Sequence, residues 1–206
     1  MSEEARGAVS GPAPKSWSEI KVWRAQIRKL LIERRLALPA QVRQEQGEQT
    51  KAHITHDIDL TPYSTLGIYW PIRGEIDVRD LARRHIEAGR TAALPVCVSP
   101  AAPLEFWRWH PGMHIRHDRA KIPIPAERDL VTPDALLIPV VGFDREIFRL
   151  GYGGGYYDRT LAAFPRRPLC IGLGYAASEL PTIYPQPHDI RLDVIVTEKG
   201  VQRVRA

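Results

Sequence analysis

The segment from Leu136 to Phe164 holds the residues of this chain that are best suited to bind a phosphorylated ligand. Its sequence is LLIPVVGFDREIFRLGYGGGYYDRTLAAF, in which glycines stand at 151, 153, 154 and 155. Glycines let a backbone turn tightly so that its N–H groups converge, and a following helix adds its positive end. The segment therefore predicts an anion-binding loop.

Two charged side chains flank this glycine loop. Arg149 precedes it and offers a bidentate guanidinium to phosphate oxygens. Asp158 follows within about one helical turn, where a carboxylate suits a Mg²⁺ that bridges phosphates. The alternative is a closely packed glycine turn that binds no ligand, in which Asp158 caps the helix. The pattern matches neither GxGxxG nor GxxxxGK[ST], but arginine, glycines, tyrosines and aspartate together favour nucleotide binding.

A second set of basic residues lies on a helix predicted near the N-terminus. Apolar residues at spacings of three and four predict an amphipathic helix that runs to about Leu38, with Ser16 or Ser18 as its cap. Such a basic stripe is usually a solvated face, and a surface that binds anions is the alternative. At about 100° per residue, the residues that fall within an arc of about 60° are Lys21, Arg24, Arg28 and Arg35.

The elements that must position these residues follow from the rest of the pattern. A second helix is predicted over 40–53, and further helices over 78–89 and 156–164. Strand-like apolar runs with the sequences TLGIYW, TAALPVCV, ALLIPVVGF, LCIGLGY and LDVIVTE alternate with the later helices. This alternation predicts the α/β class, with a mostly parallel sheet covered on both faces.

Residues 96–128 have a different pattern. The pieces LEFWRWH and MHIRHD are strand-like and are separated by Pro111 and Gly112. Because Pro-Gly pairs mark turns, the two pieces are predicted to form an antiparallel hairpin or flap attached to the sheet.

Composition is typical of a globular protein. The 206 residues are 44% hydrophobic and 26% charged, and no apolar run reaches the roughly 18 residues that span a bilayer. Residues 1–17 are polar and rich in Pro and Gly, so they predict a flexible leader before a single domain over 18–206. Cys97 and Cys170 lie in apolar contexts, which favours buried reduced thiols over a disulfide or metal ligands. A cytoplasmic protein without a membrane partner is expected.

The charge balance indicates an anionic partner without choosing one. The net charge is +5 and the pI is about 9.4, but the basic residues are dispersed along the chain. The balance suits a phosphorylated small molecule or a nucleic acid.

The glycine-loop segment also resembles a known signature. FDxxxxRLGYGGGYYDRTL is similar to the motif of the 5-formyltetrahydrofolate cyclo-ligases, also called methenyltetrahydrofolate synthetases. The family's opening Lys-x-x-x-Arg resembles Arg24 and Arg28, and its strand–loop–helix resembles IYWPIRGEIDVRDL. IPIP at 122–125 and HDIRLDVIVTE at 188–198 match further motifs in order. The resemblance covers about residues 20–198.

The resemblance implies a fold and a reaction. The fold would be a three-layer α/β/α sandwich related to ribose-5-phosphate isomerases and CoA transferases. The family converts 5-formyltetrahydrofolate and ATP into 5,10-methenyltetrahydrofolate, ADP and phosphate, with Mg²⁺. Phosphorylation of the formyl oxygen would activate it, and the folate N10 would then attack. The nucleophiles belong to the substrates, so the protein's part is positioning and charge stabilisation.

The resemblance also implies roles for particular residues. Arg149, Tyr156 and Glu75 would be catalytic, and Trp70, Glu75 and Tyr156 would bind the folate. Asp158 and Asp189 would bind Mg²⁺, although Asp189 also suits a turn beside a strand. Trp107 and Trp109 could flank the pterin or belong to the core. The implied ATP-binding residues are Arg24, Arg28, Arg149, Leu150, Gly151, Tyr152, Gly153, Gly154, Gly155, Tyr156 and Tyr157.

Two positions depart from the family pattern. Arg24 stands where the family commonly has Lys, which replaces a compact ammonium by a wider planar fork. Ile147 stands where the family commonly has Gly, in a turn that tolerates positive φ. Because a β-branched residue is strained in that conformation, the turn is predicted to have a different local shape.

Three functions are consistent with the sequence. The leading interpretation is an ATP- and Mg²⁺-dependent cyclo-ligase whose partners are a reduced folate and ATP, with no nucleic acid and no membrane. A second is a non-catalytic or substrate-shifted family member that binds folate or nucleotide, suggested by Ile147 and Arg24. A third is a nucleic-acid-binding module, suggested by the pI alone.

Overall fold

The computed structural model describes residues 16–118 and 121–203. Its α-helices are α1 (Trp17–Ala37), α2 (Ala40–Asp57), α3 (Arg79–Glu87) and α4 (Tyr156–Ala163). Its strands are β1 (Thr65–Gly67), β2 (Thr91–Val96), β3 (Glu105–Trp109), β4 (Ile115–His117), β5 (Pro123–Pro125), β6 (Leu130–Val131), β7 (Ala135–Pro139), β8 (Gly142–Asp144), β9 (Arg149–Leu150), β10 (Leu169–Leu173), β11 (Glu179–Leu180), β12 (Val194–Thr197) and β13 (Gly200–Gln202). None of the helices in these ranges has the length and apolar character needed to cross a membrane.

The start of α1 is fixed by its own side chains. The Ser16 hydroxyl accepts a hydrogen bond from the Glu19 N–H at 3.3 Å, and the Glu19 carboxylate accepts one from the Ser16 N–H at 2.9 Å. This reciprocal capping satisfies two N–H groups that the first turn leaves free. Of the predicted leader over 1–17, residues 1–15 lie outside the described residues, whereas Ser16 and Trp17 belong to the start of α1.

The central sheet confirms the predicted α/β class. Its eight strands run in the order β13-β12-β10-β7-β1-β2-β3-β6, and the five strands from β12 to β2 are parallel to one another. Side chains along a strand alternate between its two faces. In β7, Ala135 and Leu137 accordingly pack on one side, whereas Leu136 and Ile138 pack on the other.

Helices cover both faces of this sheet. Ile54 of α2 and Leu81 of α3 belong to the apolar cluster on the face of Leu137, and Leu161 of α4 belongs to the cluster on the face of Leu136. The strands are therefore buried on both sides, which explains their continuous apolar runs. The result is the predicted three-layer arrangement.

The predicted hairpin of LEFWRWH with MHIRHD is wrong. β3 pairs antiparallel with β2, through Leu94 and Trp107, and extends the central sheet. β4 pairs instead with β5, through Arg116 and Ile124, in a separate two-stranded ribbon. The Pro-Gly turn changes the direction of the chain without pairing the strands on its two sides.

A small sheet positions α1 beside the glycine loop. Its strand order is β11-β8-β9, and Leu31 of α1 packs against Leu150 and Leu180 from this sheet. Gly142 makes the approach close, because a Cβ there would lie 2.6 Å from the Leu31 Cδ1 atom. Since β9 leads directly into residues 151–155, this packing places the basic residues of α1 next to that loop.

Candidate functional site

The carboxyl ends of β1, β2 and β7 open into a cavity of about 1000 Å³. This is the edge of a parallel sheet at which ligands usually bind, and the volume suits a large organic ligand. The residues predicted for the site all line this one cavity, and they are Arg24, Arg28, Trp70, Glu75, Arg149, Leu150, Gly151, Tyr152, Gly153, Gly154, Gly155, Tyr156, Tyr157, Asp158 and Asp189.

The glycine loop presents free backbone donors to the cavity. Gly153 and Gly155 have φ values of 94° and 64°, which glycine adopts without strain. Within the described residues, the N–H groups of residues 151–154 donate to no protein acceptor. Converging N–H groups that no protein acceptor uses form a concavity suited to an anion.

Arg28 lies against the same loop. Its Nε atom donates to the Gly151 carbonyl at 2.6 Å, and a Cβ at Gly153 would lie 3.2 Å from its guanidinium. Burial, together with the charge of Arg24, lowers the pKa of Arg28. In the described part of the chain its two Nη groups have no hydrogen-bond partner. Arg28 therefore has charged donors available to a ligand.

Arg24 is occupied by protein groups. Its Nη2 atom lies 2.6 Å from Asp189 Oδ2 and 2.9 Å from the Tyr184 carbonyl, and its Nε donates to the Ile183 carbonyl at 3.0 Å. Burial raises the pKa of Asp189, but hydrogen bonds from Arg24 and from the Gln186 N–H outweigh this effect and lower it. In this arrangement Arg24 holds the segment that carries Asp189.

Arg149 and Asp158 form a second ion pair. Arg149 Nη2 lies 2.9 Å from Asp158 Oδ1, and Nη1 donates to the Ile190 carbonyl at 2.9 Å. Asp158 Oδ1 also accepts the Ile190 N–H at 3.0 Å. Arg24 and Arg149 are both predicted to bind phosphate. Each of them is thus paired with a carboxylate that is predicted to bind Mg²⁺.

The basic stripe of α1 is not a solvated face. Arg24 and Arg35 are buried, and Arg28 is half-buried. Only Lys21 of the four is exposed. Lys21, Arg24 and Arg28 line the cavity, so the solvated-face interpretation is wrong for most of the stripe, and anion binding stays a prediction.

Glu75 lies at the other end of the cavity, on the turn after β1. Its Oε1 accepts the Tyr152 hydroxyl at 2.6 Å, and its Oε2 accepts the Ile72 N–H at 2.9 Å. Burial raises the pKa of Glu75, and the hydrogen bonds from Tyr152 and Ile72 and the charges of Arg35 and Arg73 offset only part of the increase. A carboxylate in this setting suits the N–H groups of a heterocycle.

Arg35 does not line the cavity, but it holds residues that do, and the sequence reasoning left it unassigned. Its Nη2 donates to the Tyr152 hydroxyl at 2.8 Å, and its Nε donates to the Arg73 carbonyl at 2.9 Å. It therefore connects α1 with both the glycine loop and the turn that carries Glu75. Its place on the same helical stripe as Arg24 and Arg28 was the available signal.

The predicted aromatic residues separate into two groups. Trp70 lines the cavity, with the Arg79 guanidinium 4.6 Å from its ring centre. Trp107 and Trp109 do not line it. Trp107 packs with Val96 and Ile124, and Trp109 belongs to the main core. Both follow the core alternative.

The described residues contain no group of three or more His, Cys, Asp or Glu side chains placed to hold a metal ion by themselves. Cys97 is half-buried and lines the cavity, and Cys170 is fully buried. The burial expected of both thiols is confirmed for Cys170 and is wrong for Cys97.

The sequence of this chain matches a known protein family. The family model described as "5-formyltetrahydrofolate cyclo-ligase family" matches residues 20–198. The chain belongs to the 5-formyltetrahydrofolate cyclo-ligase family. This confirms the resemblance and the enzyme class that the motifs predict.

Related proteins and structures agree with this membership. The 5-formyltetrahydrofolate cyclo-ligase of Escherichia coli (strain K12) is 30% identical over 180 residues, which are 84% of this chain and 98% of that protein. The NMR structure of Aquifex aeolicus 5,10-methenyltetrahydrofolate synthetase is similar with a TM-score of 0.76 at 27% identity, covering 89% of this chain and 93% of that one. A Mycoplasma pneumoniae 5,10-methenyltetrahydrofolate synthetase shares the fold, with a TM-score of 0.70 at 24% identity and coverage of 85% and 98%.

One expected departure of this cyclo-ligase from its family is wrong. Ile147 adopts φ of 57°, so the turn keeps the left-handed conformation that glycine favours, and its local shape does not change to relieve the strain. The side chain is only 1% exposed and packs with Phe143 and Leu192. Burial of this isoleucine offsets the backbone strain of about 1–2 kcal/mol.

Proposed function

We propose that this cyclo-ligase converts 5-formyltetrahydrofolate and ATP into 5,10-methenyltetrahydrofolate, ADP and phosphate. The observation that carries the proposal is a single cavity with an anion-binding end and a carboxylate end. The glycine loop and Arg28 form the first end, and Glu75 with Trp70 forms the second. A phosphoryl donor and a heterocyclic acceptor bound at these ends would meet between them.

The triphosphate is assigned to the glycine-loop end. The N–H groups of residues 151–154 and the Nη groups of Arg28 provide donors that protein groups leave free. Arg149 is buried beside them and adds a fixed positive charge. Preorganised donors of this kind stabilise a transferring phosphoryl group because they need no reorganisation during the reaction.

The folate is assigned to the Glu75 end. Glu75 would accept N–H groups of the pterin, and Trp70 would form an apolar wall. Tyr156, whose ring lies against Gly154 at the start of α4, would lie between the two substrates. These groups would hold the formyl oxygen and N10 in line with the γ-phosphate, which is the positioning this chemistry needs.

The carboxylates fit a Mg²⁺ that arrives with the nucleotide. Mg²⁺ typically takes one or two carboxylates together with phosphate oxygens and waters. Asp158 uses Oδ1 for its protein contacts, so Oδ2 is available within the described structure. Both oxygens of Asp189 already accept hydrogen bonds from Arg24. We therefore assign the ion to Asp158 first, and to Asp189 only after exchange with Arg24. When bound, Mg²⁺ would neutralise charge on the phosphates.

In the proposed reaction the formyl oxygen attacks the γ-phosphorus and ADP leaves. The folate N10 then attacks the activated formyl carbon, closing the ring, and the carbon–oxygen bond breaks to release phosphate. N10 loses its proton in this step. Protein side chains form no covalent bond to either substrate, so their contribution is orientation and charge stabilisation.

The test is a turnover assay with the purified full chain. 5-Formyltetrahydrofolate and Mg²⁺ are mixed with the protein, with and without ATP, and methenyltetrahydrofolate absorbance and ADP are followed together. ATP-dependent product with equal amounts of ADP is the expected result. Arg149→Ala should lose far more turnover than Arg108→Ala, since Arg108 pairs with Asp129 away from the cavity. Equal small losses would contradict the assigned site.

The same assay separates the non-catalytic alternative. Folate or nucleotide binding, measured by calorimetry, without any product would show a binding protein on the cyclo-ligase scaffold. The absence of both binding and product would overturn the proposal.

A further inference from the structure

We propose that Tyr152 couples nucleotide binding to folate binding, because its hydroxyl joins the glycine loop to Glu75 and is itself held by Arg35. This inference rests on the proposed function, since it takes the loop as the phosphate site and Glu75 as the folate site. It assigns Tyr152 and Arg35 as positioning residues rather than as groups that touch the reacting atoms.

The geometry forms a continuous chain of three side chains. Arg35 Nη2 lies 2.8 Å from the Tyr152 oxygen, which lies 2.6 Å from Glu75 Oε1. The members come from α1, from the glycine loop and from the turn after β1. The Arg73 guanidinium, on that same turn, lies 5.5 Å from the Tyr152 ring centre. Tyr152 is thus the glycine-loop residue that contacts the carboxylate end of the cavity.

The direction of the hydrogen bonds is fixed by chemistry. A guanidinium can only donate, so the Tyr152 oxygen accepts from Arg35 and directs its own proton to Glu75. Hydrogen bonds in such a chain polarise and strengthen one another. Replacing the phenol by a phenyl ring would therefore remove both bonds while keeping nearly the same shape.

Glu75 keeps acceptor capacity for a second partner. An ionised carboxylate has about four acceptor sites on two oxygens. Here Oε1 accepts one bond from Tyr152 and Oε2 accepts one from the Ile72 N–H. The folate would therefore bind without displacing Tyr152, so the two ligands do not compete for Glu75.

A bound nucleotide would add contacts to the loop that carries Tyr152. Its residues 152–154 are exposed and its N–H groups have no protein acceptors in the described chain. A bound triphosphate would supply those acceptors and restrict the loop. Restricting the loop fixes the Tyr152 hydroxyl, which fixes Glu75 for the folate. Coupling of this kind is reciprocal, so the folate must tighten nucleotide binding by the same factor.

The experiment measures both affinities in the presence and absence of the other ligand. Calorimetry gives the Kd of 5-formyltetrahydrofolate with and without saturating Mg²⁺ and the β,γ-imido analogue of ATP, and the reverse titration checks reciprocity. The coupling ratio is the Kd of one ligand without the other divided by its Kd with the other at saturation. For the wild-type protein this ratio is expected to be about fivefold or more in each direction, as is usual for coupled sites. Tyr152→Phe should reduce the ratio to less than twofold.

Two further variants distinguish coupling from general damage. Tyr63→Phe removes a phenol outside the cavity and should keep the wild-type ratio. Arg35→Lys keeps the charge but loses the fork that reaches both Tyr152 and the Arg73 carbonyl, so its ratio should also fall. Unfolding midpoints of all variants are measured together with the affinities.

The outcomes separate this proposal from the proposed function. A wild-type ratio near one would overturn the coupling. A Tyr152→Phe protein that loses stability or affinity but keeps the wild-type ratio would also overturn it, because that is the behaviour of a structural residue. Binding without turnover would refute the proposed reaction while leaving the ratio measurable. A wild-type protein that fails to bind folate would refute both.

Discussion

At the scale of single residues, the arginines around the glycine loop differ in how many donors protein groups already use. All three nitrogens of Arg24 are engaged by Asp189 and by backbone carbonyls. Arg28 uses Nε for Gly151 and keeps both Nη groups available among the described residues. We therefore expect Arg28 to contribute more to nucleotide affinity than Arg24, although the two lie one helical turn apart.

The corresponding prediction concerns Arg28→Gln. Loss of a charged hydrogen bond costs about 1.5–3 kcal/mol, which is roughly a tenfold or larger loss of affinity. The Kd of Mg²⁺ with the β,γ-imido analogue of ATP, measured by calorimetry, should rise by at least about tenfold. Lys29→Gln is the matched control, because that side chain is 78% exposed on the next position of α1. Equal effects of both variants would show only a loss of general positive charge.

Ile147 gives a prediction about stability. Removing its buried side chain costs about 2–5 kcal/mol, and relief of the left-handed backbone returns only about 1–2 kcal/mol. Ile147→Gly should therefore lower the free energy of unfolding, measured in urea, while activity per folded molecule stays within about tenfold.

Ile147→Ala is the control that isolates the backbone strain. Alanine loses the same packing but keeps the strain at φ of 57°. Glycine costs about 0.5–1 kcal/mol in chain entropy, so the glycine variant should remain the more stable of the two by up to about 1 kcal/mol. The opposite order would show that the turn relaxes out of the left-handed region.

At the scale of elements, the sequence predicted α1 far better than it predicted what α1 contacts. The prediction, with Ser16 or Ser18 as the cap and an end at about Leu38, agrees with the observed Ser16 cap and the bounds Trp17 and Ala37. Periodicity also grouped the arginines on one side. It could not show that Arg24 meets Asp189 or that Arg35 meets Tyr152, because those partners lie more than a hundred residues away and come together only through the packing of β9 and of the segment near 184.

The failed hairpin has a comparable cause. The Pro-Gly turn is a local signal, whereas the pairing of β3 is decided by burial on both sides. Phe106 and Trp107 point to opposite faces and are both buried, so β3 needs a place within a sheet covered on both faces. β4 has largely exposed side chains and suits the two-stranded ribbon with β5.

The Arg24–Asp189 pair supports a prediction at this scale. It joins α1 to the segment before β12, and both side chains are about one-tenth exposed. Arg24→Gln and Asp189→Asn should each lower the free energy of unfolding by about 3 kcal/mol, because either change leaves a buried partner uncompensated. The loss in free energy of unfolding of the double variant should be at least about 1 kcal/mol smaller than the sum of the two single losses.

The pH dependence of that coupling follows from the pKa of Asp189. The folded-state pKa lies below the ordinary value of 3.8. The stabilisation is therefore fully present above the unfolded-state pKa and is lost as the pH falls through the lower folded-state value. Urea unfolding should give the same coupling energy at pH 7 and pH 5. A coupling that already declines between these values would contradict the assigned partner.

At the scale of the whole molecule, the sequence predicted the layers because side-chain alternation and burial are local properties. β7 shows this most clearly, since Leu136 and Leu137 pack on opposite faces of the sheet. The site residues were predicted through their motifs, and the fold brings all of them to one cavity. The pairing of Arg24 with Asp189 and of Arg149 with Asp158 was not predicted, because it depends on how loops from distant segments meet.

Those pairings lead to the last prediction, on Mg²⁺. In the protein without nucleotide, Arg149 neutralises Asp158, so the carboxylate gains little from a free divalent cation. A triphosphate competes for Arg149 and supplies oxygens of its own, which makes the ion and the nucleotide bind together. The unfolding midpoint should therefore rise more with Mg²⁺ plus the β,γ-imido analogue of ATP than with either alone, by roughly 4 °C for each tenfold gain in affinity.

Asp158→Asn should lose this Mg²⁺-dependent increment, whereas Asp129→Asn, which alters a surface pair with Arg108, should keep it. Because each variant is compared with itself in EDTA, a general loss of stability cancels. A Mg²⁺ increment that survives in Asp158→Asn would place the ion on other groups.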